Sequence, residues 1–470
     1  MLDLVEIDMT KVYAPQDVFT PSSPARNTFV ERDAVNARLV SALVTPGKQI
    51  VVYGHSGVGK TTLLENKLEQ LYSKHFVTRC SKGLKFEQIM KFAFDVVDGY
   101  FVSEISKKKG RTISTKVAAE YKILKGEFGI SKNTEESEKQ ERIVSPQVNA
   151  QNLAKLIGLA GGCWVLEDFH KIDESEKESM AQVMKVFMDM SRDYNSVRTI
   201  AIGAVGTAHE VVKYDKELKE RVAEILVPPM TKEEMIEIIK KGEVLLNVKF
   251  SENLIERIIE YSNGVAAVCH QLCLYMCFNA GITETCNETH SFNVHDFTKA
   301  LQSYLDGCSD TIKTIFDKAF RRKKVVKFDN PRIIIGAMVE LGWKKSSYNS
   351  IYQQICKMRP DYPSGNLTLY LNQLGDDDHG SVIMYDQNSG LYSFAQPMYF
   401  AFAKAFFDLE KEKELEHRRN HLKTMVENGE FVVLLNKAME RISNQLLDVF
   451  NETPKGAKLQ KGSKGDGEAV

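Results

Sequence analysis

The residues with the clearest chemistry lie between Gly54 and Thr61, where the chain reads Gly-His-Ser-Gly-Val-Gly-Lys-Thr. This spacing is typical of a phosphate-binding loop. Its glycines allow main-chain N–H groups to turn toward a polyphosphate, and the N-terminus of the following helix adds partial positive charge. We expect Lys60 to reach the β- and γ-phosphates and the Thr61 hydroxyl to bind Mg²⁺. The residues expected to contact the nucleotide are Gly54, His55, Ser56, Gly57, Val58, Gly59, Lys60, Thr61 and Thr62.

Two acidic residues follow an apolar run that begins at Cys163. A phosphate-binding loop needs an acidic partner at the end of a neighbouring buried strand, to hold the Mg²⁺ shell and orient a water molecule. We predict that Glu167 faces the metal and that Asp168 is the base that activates water. The alternative is a strand that ends in two solvated acids.

Length and composition limit the class of protein. A chain of 470 residues is too long for one hydrophobic core, so several domains are expected. The 62 Lys and Arg residues balance 63 Asp and Glu residues, so any nucleic-acid surface must be local. No basic segment followed by an apolar run opens the chain, and the apolar stretch 264–282 favours a buried helix over a membrane span. Eight cysteines without framework spacing predict a reducing, cytoplasmic location without membrane association.

Strand-like and helical segments alternate through the first half of the chain. This alternation predicts a parallel sheet with helices on both faces, the α/β class of P-loop NTPases. Predicted strands are 49–53, 75–80, 163–167 and 198–203, and predicted helices cover 35–43 and begin at Lys60, Phe86 and Ser175.

The second half has a different pattern. Three amphipathic helices follow Pro228-Pro229 with no strand-like run between them, which predicts a helical lid. Three more helices and two short strands then follow, the order of a winged helix-turn-helix. The predicted regions are an N-terminal arm (1–24), the ATPase core (25–229) with a charged insertion at about 107–146, the lid (230–306), a winged-helix-like region (307–408), C-terminal helices (409–452) and a disordered tail (453–470).

The loop and the acid pair resemble those of the AAA+ superfamily, in particular the branch of origin-recognition and Cdc6-type initiators and the related STAND, transposition and defence ATPases. The resemblance covers about 27–280 and, more weakly, the chain to 407. It implies ATP as the nucleotide, with the Phe29–Asp33 segment near the adenine. It also implies that Thr207 is a polar sensor near the γ-phosphate. Arg221 is similar to the arginine that enters a neighbouring subunit's site, which implies a homo-oligomer on ATP binding.

The chain departs from that family at two places. The usual order of the acid pair is Asp then Glu, whereas here Glu167 precedes Asp168, which implies slow hydrolysis. The lid arginine that senses phosphate in many members is replaced by Ala267. His270, one turn further along, either contacts a phosphate instead or is packed in the lid.

The partner of the winged-helix-like region stays open. Its third helix, near 366–374, has hydrogen-bonding side chains but no Arg or Lys, and Asp376, Asp377 and Asp378 follow it. The cluster Arg321-Arg322-Lys323-Lys324, with Lys327, is able to neutralise a few phosphates of duplex DNA. A protein partner is the alternative.

Three functions are compatible with these residues. The first is a slow ATP-hydrolysing switch that regulates DNA transactions such as initiation, transposition or mobile-element control. The second is a STAND-like signalling or phage-defence ATPase that recognises a protein. The third is a nucleotide-binding scaffold with negligible hydrolysis.

Overall fold

The computed structural model describes residues 11–72, 74–106, 149–204, 216–308, 310–321, 327–342, 345–387, 389–428, 432–433 and 435–443. The predicted insertion, Thr207, residues 322–324 of the basic cluster and the predicted tail lie outside the described residues. The chain forms two compact units, 1–406 and 407–470. The predicted core, the lid and nearly all of the winged-helix-like region belong to the first unit.

A parallel sheet forms the centre of the first unit, as predicted, and it has five strands where four were predicted. The strand before the phosphate-binding loop lies between two others in this sheet. The last strand was not predicted. It lies at an edge of the sheet and only two of its five residues are buried, so it lacks the continuous apolar run that marks a strand buried on both faces. The strands are β1 Gln49–Tyr53, β2 Lys74–Arg79, β3 Gly162–Glu167, β4 Thr199–Gly203 and β5 Val222–Leu226. Their spatial order is β2-β3-β4-β1-β5.

Helices cover both faces of this sheet, because successive strand residues point to opposite sides. Along β1, Ile50 and Val52 belong to one buried cluster and Val51 to the other. The first cluster includes residues of α2 (Asp33–Val44) and α3 (Lys60–Leu71). The second includes residues of α4 (Phe86–Ser106), α5 (Ala150–Leu159) and α6 (Glu174–Met190). A short helix, α7 (Lys216–Arg221), precedes β5.

The lid follows the sheet, and one feature of its prediction was wrong. The absence of a strand-like run predicted helices alone, but β6 (Val248–Phe250) and β7 (His290–Phe292) form a parallel pair. Three residues are too few for a periodic pattern to be recognised in the sequence. At the last pair of residues the Phe250 and Phe292 rings stack, with their centroids 4.8 Å apart. The lid helices are α8 Lys232–Leu246, α9 Glu252–Ser262, α10 Ala266–Asn279 and α11 Val294–Gly307.

The segment before the core packs on the lid. A short helix, α1 (Pro15–Val18), is followed by Phe19, which is fully buried. The Phe19 ring lies so close to Gly242 of α8 that a Cβ there would be 2.2 Å from the ring. One residue later, the Thr20 amide donates to Nδ1 of His270 on α10 at 3.1 Å. The chain therefore touches the lid before it enters the core.

The third region contains the three helices and the hairpin in the predicted order. The hairpin strands pair in antiparallel register, and Ser346 adds an isolated bridge to Tyr392. Among the described residues, no helix combines the length and apolar composition needed to cross a membrane. The elements are α12 Asp310–Phe320, α13 Asn330–Leu341, α14 Tyr348–Met358, α15 Ser364–Gly375, β8 Ile383–Asp386, β9 Leu391–Phe394 and α16 Pro397–Glu427.

Candidate nucleotide site

The phosphate-binding loop joins β1 to α3, and glycines are required at two of its turns. Gly54 has φ 155° and Gly57 has φ 77°, both in the region that disfavours other residues. A Cβ at Gly54 would lie 2.4 Å from the carbonyl oxygen of Val227, and a Cβ at Gly57 would lie 2.8 Å from Cγ1 of Val265. The loop is thus packed tightly against the lid and against segment 227–231, which joins β5 to the lid and is called the hinge below. Only glycine fits these contacts.

Lys60 opens α3 and reaches back over the loop. Its Nζ donates to the carbonyl oxygens of Gly54 at 3.0 Å and His55 at 2.7 Å. Burial lowers the pKa of Lys60, and the nearby Asp168 charge acts in the opposite direction. Burial, together with the charge of Lys60, lowers the pKa of His55. A phosphate oxygen would replace neutral carbonyl partners with a charged one, which strengthens the hydrogen bonds of the ammonium group.

A cavity of about 920 Å³ opens above the loop, a volume within the range of small-molecule sites. Residues from the N-terminal segment, the core, the lid and the third region line it. The predicted site residues that line it are Gly54, His55, Ser56, Gly57, Gly59, Lys60, Thr61, Thr62, Glu167 and Asp168. Val58 is fully buried beneath the loop, where it contributes packing instead of a cavity wall.

The acid pair meets the loop because the carboxyl ends of parallel strands lie at one edge of a sheet. Glu167 ends β3, and its Oε2 accepts from Nε of Arg79 at 3.0 Å. Asp168 adopts the left-handed conformation with φ 57°, and its Oδ2 accepts from Nζ of Lys171 at 2.7 Å. The structure therefore brings the predicted acids, Lys60 and Thr61 to one cavity.

Three charged residues of this cavity were not predicted from sequence. Arg79 ends β2 and lies in register with Glu167, so the strand order was the signal that would have found it. Lys171 follows the left-handed turn at Asp168. Glu65 lies on α3, and burial, with a smaller contribution from the Glu167 charge, raises its pKa. Their positions depend on strand order and on one turn, which the sequence pattern did not reveal.

Arg221 is not brought to the cavity. It ends α7 immediately before β5, is exposed, and stands at the amino-terminal end of that strand. The register pairs Gln49 with Val222 and Tyr53 with Leu226, so the phosphate-binding loop follows the opposite end of the sheet. Arg221 therefore lies away from the loop of its own chain.

The lid contributes the wall that faces the loop. The Ala267 amide donates to the carbonyl oxygen of Gly57 at 3.1 Å. His270 is buried, and burial lowers its pKa to about 4, so the ring is neutral at pH 7. Its Nδ1 is already occupied by the Thr20 amide. Arg32 also lines the cavity, with its side chain 4% exposed.

Several solved structures are similar to this chain. A Walker-type ATPase of Pyrococcus abyssi is 18% identical, with 81% of this chain and 98% of that chain covered and a TM-score of 0.48. Cdc6p from Pyrobaculum aerophilum is 14% identical, over 84% and 98% of the two chains, with a TM-score of 0.42. The ORC2 protein of Aeropyrum pernix, solved as ADPNP–ADP complexes, is 12% identical over 81% and 92%, with a TM-score of 0.41.

The three neighbours are thus named as a Walker-type ATPase, a Cdc6 protein and an ORC2 protein. No protein-family model matches the sequence, and no curated protein matches it. The similarity concerns the course of the main chain, and the roles of individual residues rest on the geometry above.

Proposed function

We propose that this chain is an ATP-binding and slowly hydrolysing molecular switch. The observation that carries the proposal is the convergence of Lys60, Thr61, Glu167 and Asp168 on one cavity beside a glycine-rich loop. The main-chain amides of the loop would hold the phosphates, and Lys60 would exchange its two carbonyl partners for the β- and γ-phosphate oxygens.

The oxygen donors of the cavity suit Mg²⁺. A hydroxyl at Thr61 and a carboxylate at Glu167 are the hard ligands that this ion takes, with phosphate oxygens and water completing the shell. Bound Mg²⁺ neutralises phosphate charge. Asp168 would accept a proton from the water that attacks the γ-phosphorus while the bond to the β-phosphate oxygen breaks, releasing ADP and phosphate.

Slow turnover is supported by the surroundings of the acids. Asp168 is half exposed and its carboxylate is paired with Lys171, so the lysine competes with a water molecule for the oxygen that would accept the proton. Its side chain is one methylene shorter than the Glu usual at this position. Negligible hydrolysis is the second candidate. It is supported by two ion pairs that occupy the acids, Arg79 with Glu167 and Lys171 with Asp168.

Assembly is proposed from Arg221 and Thr207. Arg221 lies at the end of the sheet opposite to the phosphate-binding loop and cannot reach the loop of its own chain. Its role in turnover would therefore be in the site of a neighbouring copy. Thr207 is proposed as the polar sensor of the γ-phosphate. Both assignments make ATP the ligand that favours a homo-oligomer.

The third region is proposed to be a winged helix whose contact with a partner depends on whether ATP or ADP is bound. The proposed location of the protein is the cytoplasm. A role in duplex DNA transactions is supported by the order of three helices and a hairpin. A protein partner, as in STAND-like signalling, is supported by the exposed apolar side chains of this region and by the absence of Arg and Lys from α15. The exposed side chains are Met358, Leu369, Met384 and Tyr385.

Measuring ATP binding and turnover, with and without duplex DNA, separates these functions. Stimulation by DNA supports the DNA switch, slow turnover that DNA leaves unchanged supports the protein-recognising switch, and binding without turnover supports the scaffold. The Lys60→Ala variant is the background control. If the wild-type chain has no affinity for ATP in the presence of Mg²⁺, the proposal is wrong.

A further inference from the structure

Four Lys or Arg side chains line the cavity within the described part of the chain. For three of them the effect of a bound nucleotide is simple: it would leave the present partner in place, or phosphate or Mg²⁺ would replace that partner. Arg32 donates to the carbonyl oxygens of Pro228 and Pro229, which belong to the hinge. Lys60 belongs to the phosphate-binding loop, and Arg79 is held on Glu167. The fourth, Lys171, is bound to the proposed base itself.

Lys171 and Asp168 form an ion pair that is easily broken. Nζ and Oδ2 are 2.7 Å apart, and the side chains are 49% and 50% exposed. Exposed pairs of this kind contribute little free energy because water competes for both charges. The pair also lies at the phosphate end of the cavity, because Asp168 follows β3 at the same edge of the parallel sheet at which the phosphate-binding loop follows β1.

A γ-phosphate would change the balance of charges at this point. It carries about −1.5 to −2 charges on three oxygens, whereas the carboxylate carries one. An ammonium group between the two is attracted more strongly by the phosphate. ADP lacks this group and would leave Lys171 on Asp168.

We propose that Lys171 is a second γ-phosphate-binding cation of this site, in addition to Lys60, and that it exchanges from Asp168 to the γ-phosphate when a triphosphate binds. The inference rests on the proposed nucleotide function. The exchange makes the chain distinguish ATP from ADP without an arginine at position 267. It also releases the Asp168 carboxylate only when a triphosphate is present, so that Lys171 restrains the base in the other states.

The test is the ratio of affinities for a non-hydrolysable ATP analogue and for ADP, both with Mg²⁺, measured by calorimetry on the full chain. Loss of one charge-assisted contact should reduce this ratio by about tenfold or more in Lys171→Met and leave ADP binding unchanged. Lys171→Arg should restore most of the ratio. In the Asp168→Asn background the ratio should rise, because the competing carboxylate is gone.

A matched control is present on the lid. Lys240 forms an ion pair with Glu243 at the same sequence spacing and the same distance, 2.7 Å, and is 50% exposed, but it does not line the cavity. Lys240→Met should leave the ratio as in the wild type. The inference is overturned if Lys171→Met keeps the wild-type ratio or loses both nucleotides equally. If the wild type binds neither nucleotide, the proposed function itself fails.

Discussion

The guanidinium of Arg32 lies against the carboxylate of Glu234, with Nε and Oε2 separated by 3.2 Å. Arg32 immediately precedes α2 of the core, whereas Glu234 is in the first turn of lid helix α8, where it also completes a capping box with Thr231. Nη2 of Arg32 donates to the carbonyl oxygens of Pro228 at 2.9 Å and Pro229 at 3.2 Å. One buried arginine therefore joins the core, the hinge and the lid.

Replacing Arg32 with alanine should destabilise the first unit by about 2–4 kcal/mol, because hinge carbonyls and Glu234 lose a charged donor. The measurement is the urea midpoint of unfolding without nucleotide. Arg26→Ala provides the contrast: Arg26 is 77% exposed and paired with Glu69, so its removal should hardly move the midpoint. Equal midpoints for the two variants would contradict the joining role.

Lys60→Ala should lower ATP affinity about a hundredfold or more, because charge-assisted contacts to two phosphates are lost. Lys60 is partly buried and bonded to loop carbonyls, so circular dichroism should establish that the variant folds. Calorimetric titration with ATP and Mg²⁺ makes the measurement. Retention of wild-type affinity would remove Lys60 from the phosphate site.

Asp168→Asn should not weaken ATP binding but should reduce turnover about a hundredfold or more, the usual contribution of a general base. Glu167→Gln is the informative comparison, since it should instead raise the Mg²⁺ concentration needed for binding. Phosphate release is measured at several Mg²⁺ concentrations. Normal turnover by Asp168→Asn would show that another group activates the water molecule.

Arg221→Ala should reduce turnover by about a thousandfold, but only at concentrations at which copies of the chain assemble. Sedimentation with the ATP analogue defines that range. Lys219→Ala, an exposed residue of the same short helix, should have no effect. The same loss in a proven monomer would exclude a role between copies.

His270 should make stability fall as the pH is lowered. Burial lowers its pKa from 6.5 to about 4, so below pH 6.5 the unfolded chain binds a proton that the folded chain does not. The resulting loss is about 2 kcal/mol at pH 5 and about 3 kcal/mol below pH 4. Urea unfolding without nucleotide should give a smaller change between pH 7.5 and 5 for His270→Gln than for the wild type. Parallel pH profiles would contradict a buried neutral ring.

Local patterns predicted the regular elements well. The predicted and observed bounds coincide for the strand 49–53, because it is a short apolar run with Gly47 shortly before it and Gly54 directly after it. β5 and the β6–β7 pair were missed because a half-exposed edge strand and three-residue strands carry too little pattern. Their existence depends on neighbouring strands that are distant in sequence.

The site was predictable where chemistry is local and not where it depends on assembly of the sheet. A single loop specifies Lys60 and Thr61, and one strand end specifies Glu167 and Asp168. The Arg79 contact with Glu167 needs β2 to lie beside β3, and the Lys171 contact needs Asp168 in the left-handed conformation. Neither arrangement leaves a spacing signature in the chain.

The hydrogen bond from Ala267 to Gly57 connects the first turn of lid helix α10 to the phosphate-binding loop, so a shift of the loop would tilt this helix about its first turn. Helix α10 has 14 residues and is therefore about 21 Å long. A tilt of about five degrees at its start would carry its other end through about 2 Å. Phe278 lies at that end, and its side chain is 47% exposed. A small shift of the loop around a bound phosphate would therefore move an apolar surface at the other end of the helix.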